Sequence, residues 1–260
     1  MKKLKINIEY DGTPYCGWQI QPNGRSIQEE LMKALFQLTG QNVTIHGAGR
    51  TDAKVHAYGQ CASLEIDCGI PPEKFPAAMN SCLPNDIVVT NALEVPKDFH
   101  ARYSAKGKQY EYRIINRKYR SAIHRNYAWH LSTPLNRDLM EDAMDAFKGT
   151  HDFSQFMASG SDVRDTVRRI TRSELVQGET PEKMSIILEG NGFLYKMVRM
   201  MVAAVVEIGM NKSGKSQLSK RLTLEETCHN KWTAPPQGLF LNKVYYDEAY
   251  FSLDTPGTMV

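Results

Sequence analysis

The order of apolar patterns along the chain is the feature that most constrains its fold. Residues 1–100 alternate between the period-two spacing of strands and the three-to-four-residue spacing of helices, as strand, helix, strand, strand, helix, strand. The same order returns in residues 101–260, without a residue-level repeat. This order is that of a split βαβ, or ferredoxin-like, unit. We therefore predict an α+β fold with domains 1–100 and 101–260. These two ferredoxin-like halves are expected to form a mainly antiparallel sheet with helices on one side and a central cleft.

The first half opens with a strand whose apolar residues alternate from Leu4 to Tyr10. Ser26 and Glu29 have the spacing of a capping box, which predicts a helix that Gly40 ends. The other elements predicted here are two strands on either side of residues 48–55, a helix after Pro71-Pro72, and a strand over 86–95.

The second half repeats this order. Its predicted elements are a strand over 108–116, a helix opened by Pro134, strands over 167–176 and 184–189, an apolar helix over 193–208, a further helix over 217–227, and a closing strand over 241–245. The residues expected to share the buried face of the helix after Pro134 are Leu135, Leu139, Ala143, and Ala146 or Phe147.

Positive charge is concentrated in one stretch. The net charge is +3, but residues 97–125 carry nine basic side chains against two acidic ones, so the rest of the chain is acidic. The tyrosines interleaved with these charges are Tyr103, Tyr110, Tyr112, Tyr119 and Tyr127. Cations neutralise phosphates and flat rings stack on bases, so the pattern favours RNA binding, although a solvated charged face has the same composition.

Several classes of protein are disfavoured by what the sequence lacks. Its five cysteines are an odd number with no Cys-x-x-Cys pair, and no zinc-ligand, Gly-x-Gly-x-x-Gly or Walker-type motif accompanies them. We therefore predict neither a metal site nor a cofactor. The longest apolar run, residues 200–206, is far too short to cross a bilayer, and no signal-peptide core follows Met1. These features predict a cytoplasmic protein that does not enter a membrane.

The strongest candidate for chemistry is Asp52, in a Gly-bounded turn between two short apolar runs. Arg50, Lys54 and His56 surround it in sequence, and neighbouring positive charge favours the ionised, nucleophilic carboxylate. The alternative is that Thr51 and Asp52 only make turn hydrogen bonds, as such residues do in many turns. A turn histidine such as His56 is more often a structural partner than a base, and it receives no chemical role.

This turn carries a resemblance to a known family. Gly-Arg-Thr-Asp-Ala at 49–53, followed by Val-His-Ala at 55–57, resembles the catalytic-loop signature of the tRNA pseudouridine synthase I family. The chain departs from it at Lys54, where the family has Gly. Further segments that match the family are 9–12, 17–19, 98–102, 193–199 and 236–241. They extend from the first predicted strand to the last.

The resemblance implies an isomerase that converts uridine to pseudouridine in the anticodon arm of tRNAs, at positions 38, 39 and 40, without a cofactor and as a homodimer. It implies that Asp52 is the catalytic nucleophile or base and that Arg199 pairs with it. It further implies that Tyr110 lies against the target base. Arg50 is expected to contact the RNA backbone or help to extrude the base, and Leu239 to pack the floor of the substrate cleft.

Other interpretations stay open on the residues alone. Tyr110 equally suits sheet packing, and Arg199 could share a thin solvent face with Lys196 three residues earlier. A non-catalytic RNA-binding protein would use the basic tyrosine-rich stretch and treat Asp52 as a turn cap. A pseudouridine synthase with a shifted RNA target is a second alternative, because of Lys54. A glycoside hydrolase would need a second carboxylate, and none is evident near Asp52.

Overall fold

In a computed structural model of the chain, residues 1–22, 24–160, 163–225 and 232–247 are described. They form two compact units. The first contains residues 1–106 together with 240–246, and the second contains residues 107–239. Both units are mixtures of helices and mainly antiparallel strands, which confirms the predicted α+β class.

The first unit has the predicted order of elements: β1 (Lys2–Tyr10), α1 (Ile27–Thr39), β2 (Ile45–Gly47), β3 (His56–Ile66), α2 (Phe75–Asn80) and β4 (Ile87–Glu94). β1 lies between β4 and β3, and β2 pairs with β3, all antiparallel. This strand order, β4-β1-β3-β2, is the ferredoxin-like arrangement. The last strand within the described residues also joins this unit, because Phe240 and Leu241 pair in parallel with the start of β3.

Local signals set the limits of α1 as predicted. The Ser26 side chain accepts a hydrogen bond from the Glu29 backbone N–H at the N-terminus, and Gly40 ends the helix in the left-handed conformation with a φ of 70°. Such a cap is worth about 1 kcal/mol. Ile27, Leu31, Ala34 and Leu35 form the buried face of α1 and pack into the hydrophobic core.

The second unit contains β5 (Gly107–Asn116), β6 (Trp129–Leu131), α3 (Arg137–Asp145), β7 (Gly149–Asp152), β8 (Val167–Gln177), β9 (Lys183–Gly190), α4 (Met197–Gly209) and α5 (Lys215–Leu222); β10 (Leu239–Tyr245) follows. β9 lies between β5 and β8 and pairs antiparallel with both. In the same way, β3 of the first unit pairs antiparallel with both β1 and β2. β7 extends the sheet beyond β8, and β6 runs parallel to β5. β6 and β7 were not predicted, since three or four residues are too few to show a period.

Three helix predictions need correction. α3 begins after Asn136, whose side chain accepts a hydrogen bond from Leu139 N–H. Met140, Ala143 and Met144 face inward, whereas Leu139 is 39% exposed and the half-buried Leu135 precedes the helix. The predicted face was therefore wrong at Leu135 and Leu139.

The apolar helix starts at Met197 rather than at residue 193. Lys196 has a positive φ of 59°, which a right-handed helix does not allow. α5 ends at Leu222, and the last part of the predicted helix over 217–227 lies outside the described residues, as does Cys228. Within the described ranges, no helix is long and apolar enough to cross a membrane.

Candidate active site

The loop that carries Asp52 connects β2 to β3 and is held by backbone hydrogen bonds to a distant segment, residues 15–18. Gly17 and Asp52 form an isolated antiparallel bridge. Trp18 N–H donates to Thr51 O at 3.0 Å, and Lys54 N–H donates to Tyr15 O at 3.3 Å. We call this set of contacts the clasp. It fixes the backbone on both sides of Asp52, whose side chain is half-buried.

Gly17 is required by the clasp. Its φ is 115°, and a Cβ at this position would lie 2.6 Å from Thr51 O and 3.2 Å from the Asp52 carbonyl carbon. Only glycine combines that backbone conformation with so close an approach of two chains. The match of segment 17–19 to the family therefore has a physical cause in the Asp52 loop.

Buried polar side chains of the neighbouring strands also stabilise the Asp52 loop. The hydroxyl groups of Tyr10 and Thr51 share a hydrogen bond of 2.8 Å, and Gln60 Nε2 donates to Gly49 O at 2.9 Å. Burial raises the pKa of Tyr10 to about 12, so its hydroxyl keeps its proton at neutral pH. Sequence reasoning missed Tyr10 and Gln60 as supports. The sequence signal that could have identified them is a polar side chain at an inward-facing position of a strand whose other inward-facing residues are apolar.

The backbone conformation at Lys54 shows why the family signature has glycine at this position. Its φ is 65°, in the left-handed region where glycine is the usual residue, and its side chain is exposed. The family's Gly thus matches a backbone requirement that this chain meets with a strained lysine. The lysine adds a cation two residues after Asp52.

His56 has structural contacts. The imidazole is buried, and its Nδ1 lies 3.1 Å from the Gly12 backbone nitrogen and 3.1 Å from Asp11 Oδ1. The ring stacks on Phe240 of β10 at a centroid distance of 4.7 Å, and Tyr58 stacks on the same Phe240 at 5.4 Å. The ring of Phe240 was not singled out from the sequence.

In the second unit, Tyr110 and Tyr112 project from the same face of β5, since they are two residues apart on one strand. Tyr110 is 8% exposed, and its ring meets the Phe193 ring edge-on at a centroid distance of 5.1 Å. Phe193 precedes α4, so the family-like segment 193–199 sets the orientation of Tyr110.

Arg199 is anchored near the start of α4. Its Nε donates to Ala234 O at 2.7 Å, and Ala234 N–H donates to Arg199 O at 3.1 Å. The Tyr112 hydroxyl donates to Pro235 O at 2.7 Å, which fixes the same segment. Burial raises the pKa of Tyr112, and the positive charge of Arg199 partly offsets this effect. Segment 234–235 was not identified from the sequence, because it acts through backbone carbonyls that have no residue signature.

Lys196 precedes α4 in the left-handed conformation, so it does not share a helical face with Arg199. Leu239 is buried and directly follows the turn formed by residues 236–238. In that turn a Cβ on Gly238 would lie 2.8 Å from Cζ of Tyr112, so the chain before Leu239 packs tightly on this ring. These contacts suit a packing role for Leu239.

The predicted site residues are divided between the units. The first unit holds Asp52 and the exposed Arg50 on one loop, and the second holds Tyr110, Arg199 and Leu239. The pairing of Asp52 with Arg199 stays a prediction. Among residues 1–22, 24–160, 163–225 and 232–247, no group of three or more His, Cys, Asp and Glu side chains could hold a metal ion.

The first unit is therefore a ferredoxin-like α+β fold that holds Asp52 in a Gly-Arg-Thr-Asp loop. Comparisons with known proteins show the family to which such a chain belongs. The model of a family described as tRNA pseudouridine synthase matches residues 6–104 and 143–247. The chain is 48% identical over 247 residues to tRNA pseudouridine synthase A of Ruminiclostridium cellulolyticum, covering 95% of this chain and 100% of the relative.

Two further relatives carry the same name. The one from Thermoanaerobacter pseudethanolicus is 45% identical and the one from Clostridium acetobutylicum is 42% identical, each over 246 residues, which are 95% of this chain and 100% of the relative. The chain therefore belongs to the tRNA pseudouridine synthase family. This confirms the resemblance seen in the sequence and the prediction of an isomerase.

Proposed function

We propose that this protein isomerises uridine to pseudouridine in the anticodon arm of tRNAs, at positions 38, 39 and 40, with Asp52 as its catalytic residue. Membership of the family supports the reaction. The clasp is the structural observation that carries the assignment of Asp52, because it holds one half-buried carboxylate on a backbone fixed from both sides. Preorganisation of this kind is what a reactive group needs and a simple turn cap does not.

The reaction requires little besides a positioned carboxylate. The bond from C1′ to N1 of uridine breaks, the uracil rotates, and a bond from C1′ to C5 forms. The proton at C5 is lost and N1 gains one, so atoms balance without an oxidant or reductant. Asp52 attacks the ribose or the base, or removes a ribose proton. All three routes use its ionised form.

Arg199 is proposed to hold Asp52 ionised and oriented. An opposite charge within about 4–6 Å lowers the pKa of a carboxyl group and fixes its direction. The bond from Arg199 Nε to Ala234 O supports this role, because it sets the plane of the guanidinium. An arginine held in this way loses little conformational entropy when it binds a carboxylate.

The other residues are proposed to bind the flipped uridine. Tyr110 would lie against the base, with its ring direction set by Phe193. Arg50, exposed two residues before Asp52, would contact phosphate or help to extrude the base. Leu239 would pack the floor beneath the base. We further propose that the protein acts as a cytoplasmic homodimer, as the family resemblance implies.

Replacement of Asp52 by Asn tests the proposal. Pseudouridine formation, followed by tritium release from 5-labelled uridine in unmodified tRNA, should fall at least about a thousandfold, as expected for loss of a nucleophile or base. RNA affinity should stay within about threefold, since the shape of the side chain is kept. Asp67→Asn is the matched control, because the Asp67 side chain is exposed and its carboxylate lies 3.4 Å from the N-terminal amine, away from the Asp52 loop in sequence.

Each other outcome identifies an alternative. Continued isomerisation by the Asn variant would refute the role of Asp52. A wild-type protein that binds tRNA but releases no label from any tRNA would favour the non-catalytic RNA-binding protein. Release of free uracil would indicate a glycoside hydrolase. Labelled sites outside the anticodon arm would show a shifted target.

A further inference from the structure

Outside the candidate site, the first unit displays a row of neighbouring rings, tilted by about 40° to one another, formed by His46, His100 and Tyr103. The centroids of His46 and His100 are 5.0 Å apart, and those of His100 and Tyr103 are 4.5 Å apart. The guanidinium carbon of Arg102 lies 5.8 Å from the centre of the Tyr103 ring. Tyr103 is 77% exposed, so the row ends in an aromatic face open to solvent. We call His46, His100, Arg102 and Tyr103 together the ring row.

The ring row is held in place by buried contacts. Ala101 N–H donates to Ser63 Oγ on β3 at 3.1 Å, and the Tyr246 hydroxyl donates to Ala101 O at 2.8 Å. Ala101 itself packs in a buried cluster with Ala48 and Cys61. These contacts hold the backbone of the turn that carries His100 to Tyr103. A side chain on an anchored backbone binds with a smaller entropic cost than one on a mobile loop.

The electrostatics of the row suit a negatively charged, flat ligand. Arg102 N–H donates to Nδ1 of His100 at 3.1 Å, so that nitrogen is an acceptor and the ring is neutral in this geometry. Partial burial lowers the pKa of His100, and the positive charges of His46, Lys3 and Arg102 lower it further. The row therefore offers flat ring faces beside the guanidinium of Arg102.

We propose that the ring row binds an unpaired nucleotide of the RNA substrate, with its base stacked on Tyr103 and its phosphate paired with Arg102. Stacking of a base on an exposed aromatic ring beside a cation is a common mode of single-stranded RNA recognition. The location agrees, because His46 lies on β2, six residues before Asp52, and β2 leads directly into the Asp52 loop. This inference rests on the proposed function and adds a second contact with the same RNA.

The test compares Tyr103→Ala with Tyr103→Phe in binding to an unmodified tRNA transcript. Tyr103→Ala should weaken binding about 5- to 150-fold, because stacking on one base contributes a free energy of that size. Tyr103→Phe should bind like the wild type, since it keeps the ring. The KM for tritium release should rise in parallel while kcat at saturating tRNA stays unchanged. Phe36→Ala is the matched control, an aromatic residue 51% exposed on α1, and it should change neither constant.

Arg102→Gln separates the charge from the stacking. It should weaken binding and reduce the slope of log affinity against log salt concentration by about 1, as expected for one lost phosphate contact. Tyr103→Ala should leave that slope unchanged. Together the two variants assign the base and the phosphate to different side chains.

Three results would overturn the inference: wild-type tRNA affinity for Tyr103→Ala, equal losses for Tyr103→Ala and Phe36→Ala, or a changed oligomeric state of Tyr103→Ala in sedimentation with unchanged RNA binding. The last would make the ring row a contact between protein chains. A wild-type protein without isomerase activity whose Tyr103→Ala variant still loses RNA affinity would refute the proposed function and leave the ring row supported.

Discussion

The Asp52 loop and the start of α4 each present a charged residue, and they fix it in different ways. The Asp52 loop is held through its backbone, by the clasp from residues 15–18. Arg199 is held through its own side chain, by the bond from Nε to Ala234 O. Both regions also contain a lysine with positive φ, Lys54 at 65° and Lys196 at 59°. Backbone anchoring fixes where a short side chain starts, whereas a long side chain needs an anchor along its own length.

Gly17→Ala should have the largest effect, because it disrupts the backbone contacts of the clasp that hold the Asp52 loop. The added Cβ would lie 2.6 Å from Thr51 O at a φ of 115°, so the clasp must open. We expect isomerase activity to fall at least about a hundredfold, as a shift of about 1 Å at a reactive group does, and unfolding free energy to fall by about 2–4 kcal/mol.

Gly69→Ala is the matched control for that experiment. No atom lies within 4 Å of a Cβ built at Gly69. Tritium release and urea unfolding should both stay at the wild-type level. If Gly17→Ala kept full activity, the clasp would not be needed to position Asp52.

Arg199→Lys should have the next largest effect, because lysine keeps the charge but has no Nε to bind Ala234 O. We expect kcat to fall about ten- to a hundredfold with KM nearly unchanged, since positioning rather than substrate binding is lost. Arg137→Lys on α3 is the control, because Arg137 is a half-buried arginine whose side chain likewise donates a hydrogen bond, here to Gln177. A larger change in KM than in kcat would instead make Arg199 an RNA-binding residue.

Tyr10→Phe tests the buried support of the clasp. It removes the hydroxyl that bonds to Thr51 Oγ1 and should lower the unfolding free energy by about 1–2 kcal/mol. The folded-state pKa of Tyr10 is raised from 10.0 to about 12. Its contribution is therefore fully present below pH 10 and is lost as the pH rises from 10 through 12. Urea unfolding of both proteins across this range should show the difference between them shrink; a constant difference would contradict the assignment.

Lys54→Gly and Lys196→Gly should have the smallest effects and give the most direct comparison of the two regions. Glycine relieves left-handed strain of about 1–2 kcal/mol per residue and adds about 0.5–1 kcal/mol of flexibility in the unfolded chain. Each variant should therefore gain about 0.5 kcal/mol in unfolding free energy, measured by urea denaturation. Only Lys54→Gly should also reduce the salt dependence of tRNA binding, because Lys54 lies beside the proposed catalytic residue. Equal changes in salt dependence for both would contradict this difference.

The sequence predicted those elements whose signals are local. Ser26 and Gly40 set the ends of α1 through contacts within three or four residues, so their pattern was sufficient. The loop of Asp52 was also visible, because its residue types are concentrated in one segment. The order of strands and helices followed from the spacing of apolar residues, because that spacing shows which face of each element is buried.

What could not be predicted depends on contacts between distant residues or on backbone atoms. The clasp joins Gly17 to Asp52 through main-chain groups that every residue has. Ala234 holds Arg199 through a carbonyl oxygen, which also carries no side-chain signature. The inward face of α3 is formed by Met140, Ala143 and Met144 and is continued by Phe147 just after the helix. These residues also have helical spacing, so the pattern alone offered two overlapping faces and the packing chose between them.

The parallel pairing of β10 with the start of β3 has a consequence for biosynthesis. His56 and Tyr58 receive their stacking partner, Phe240, from β10, which lies more than 180 residues later in the chain. A ribosome must therefore synthesise the chain past residue 241 before the first unit can acquire its full set of interactions. Nascent chains released early would lack this strand and should be recognised by quality-control proteases, so a shortened product with partial activity is not expected to accumulate.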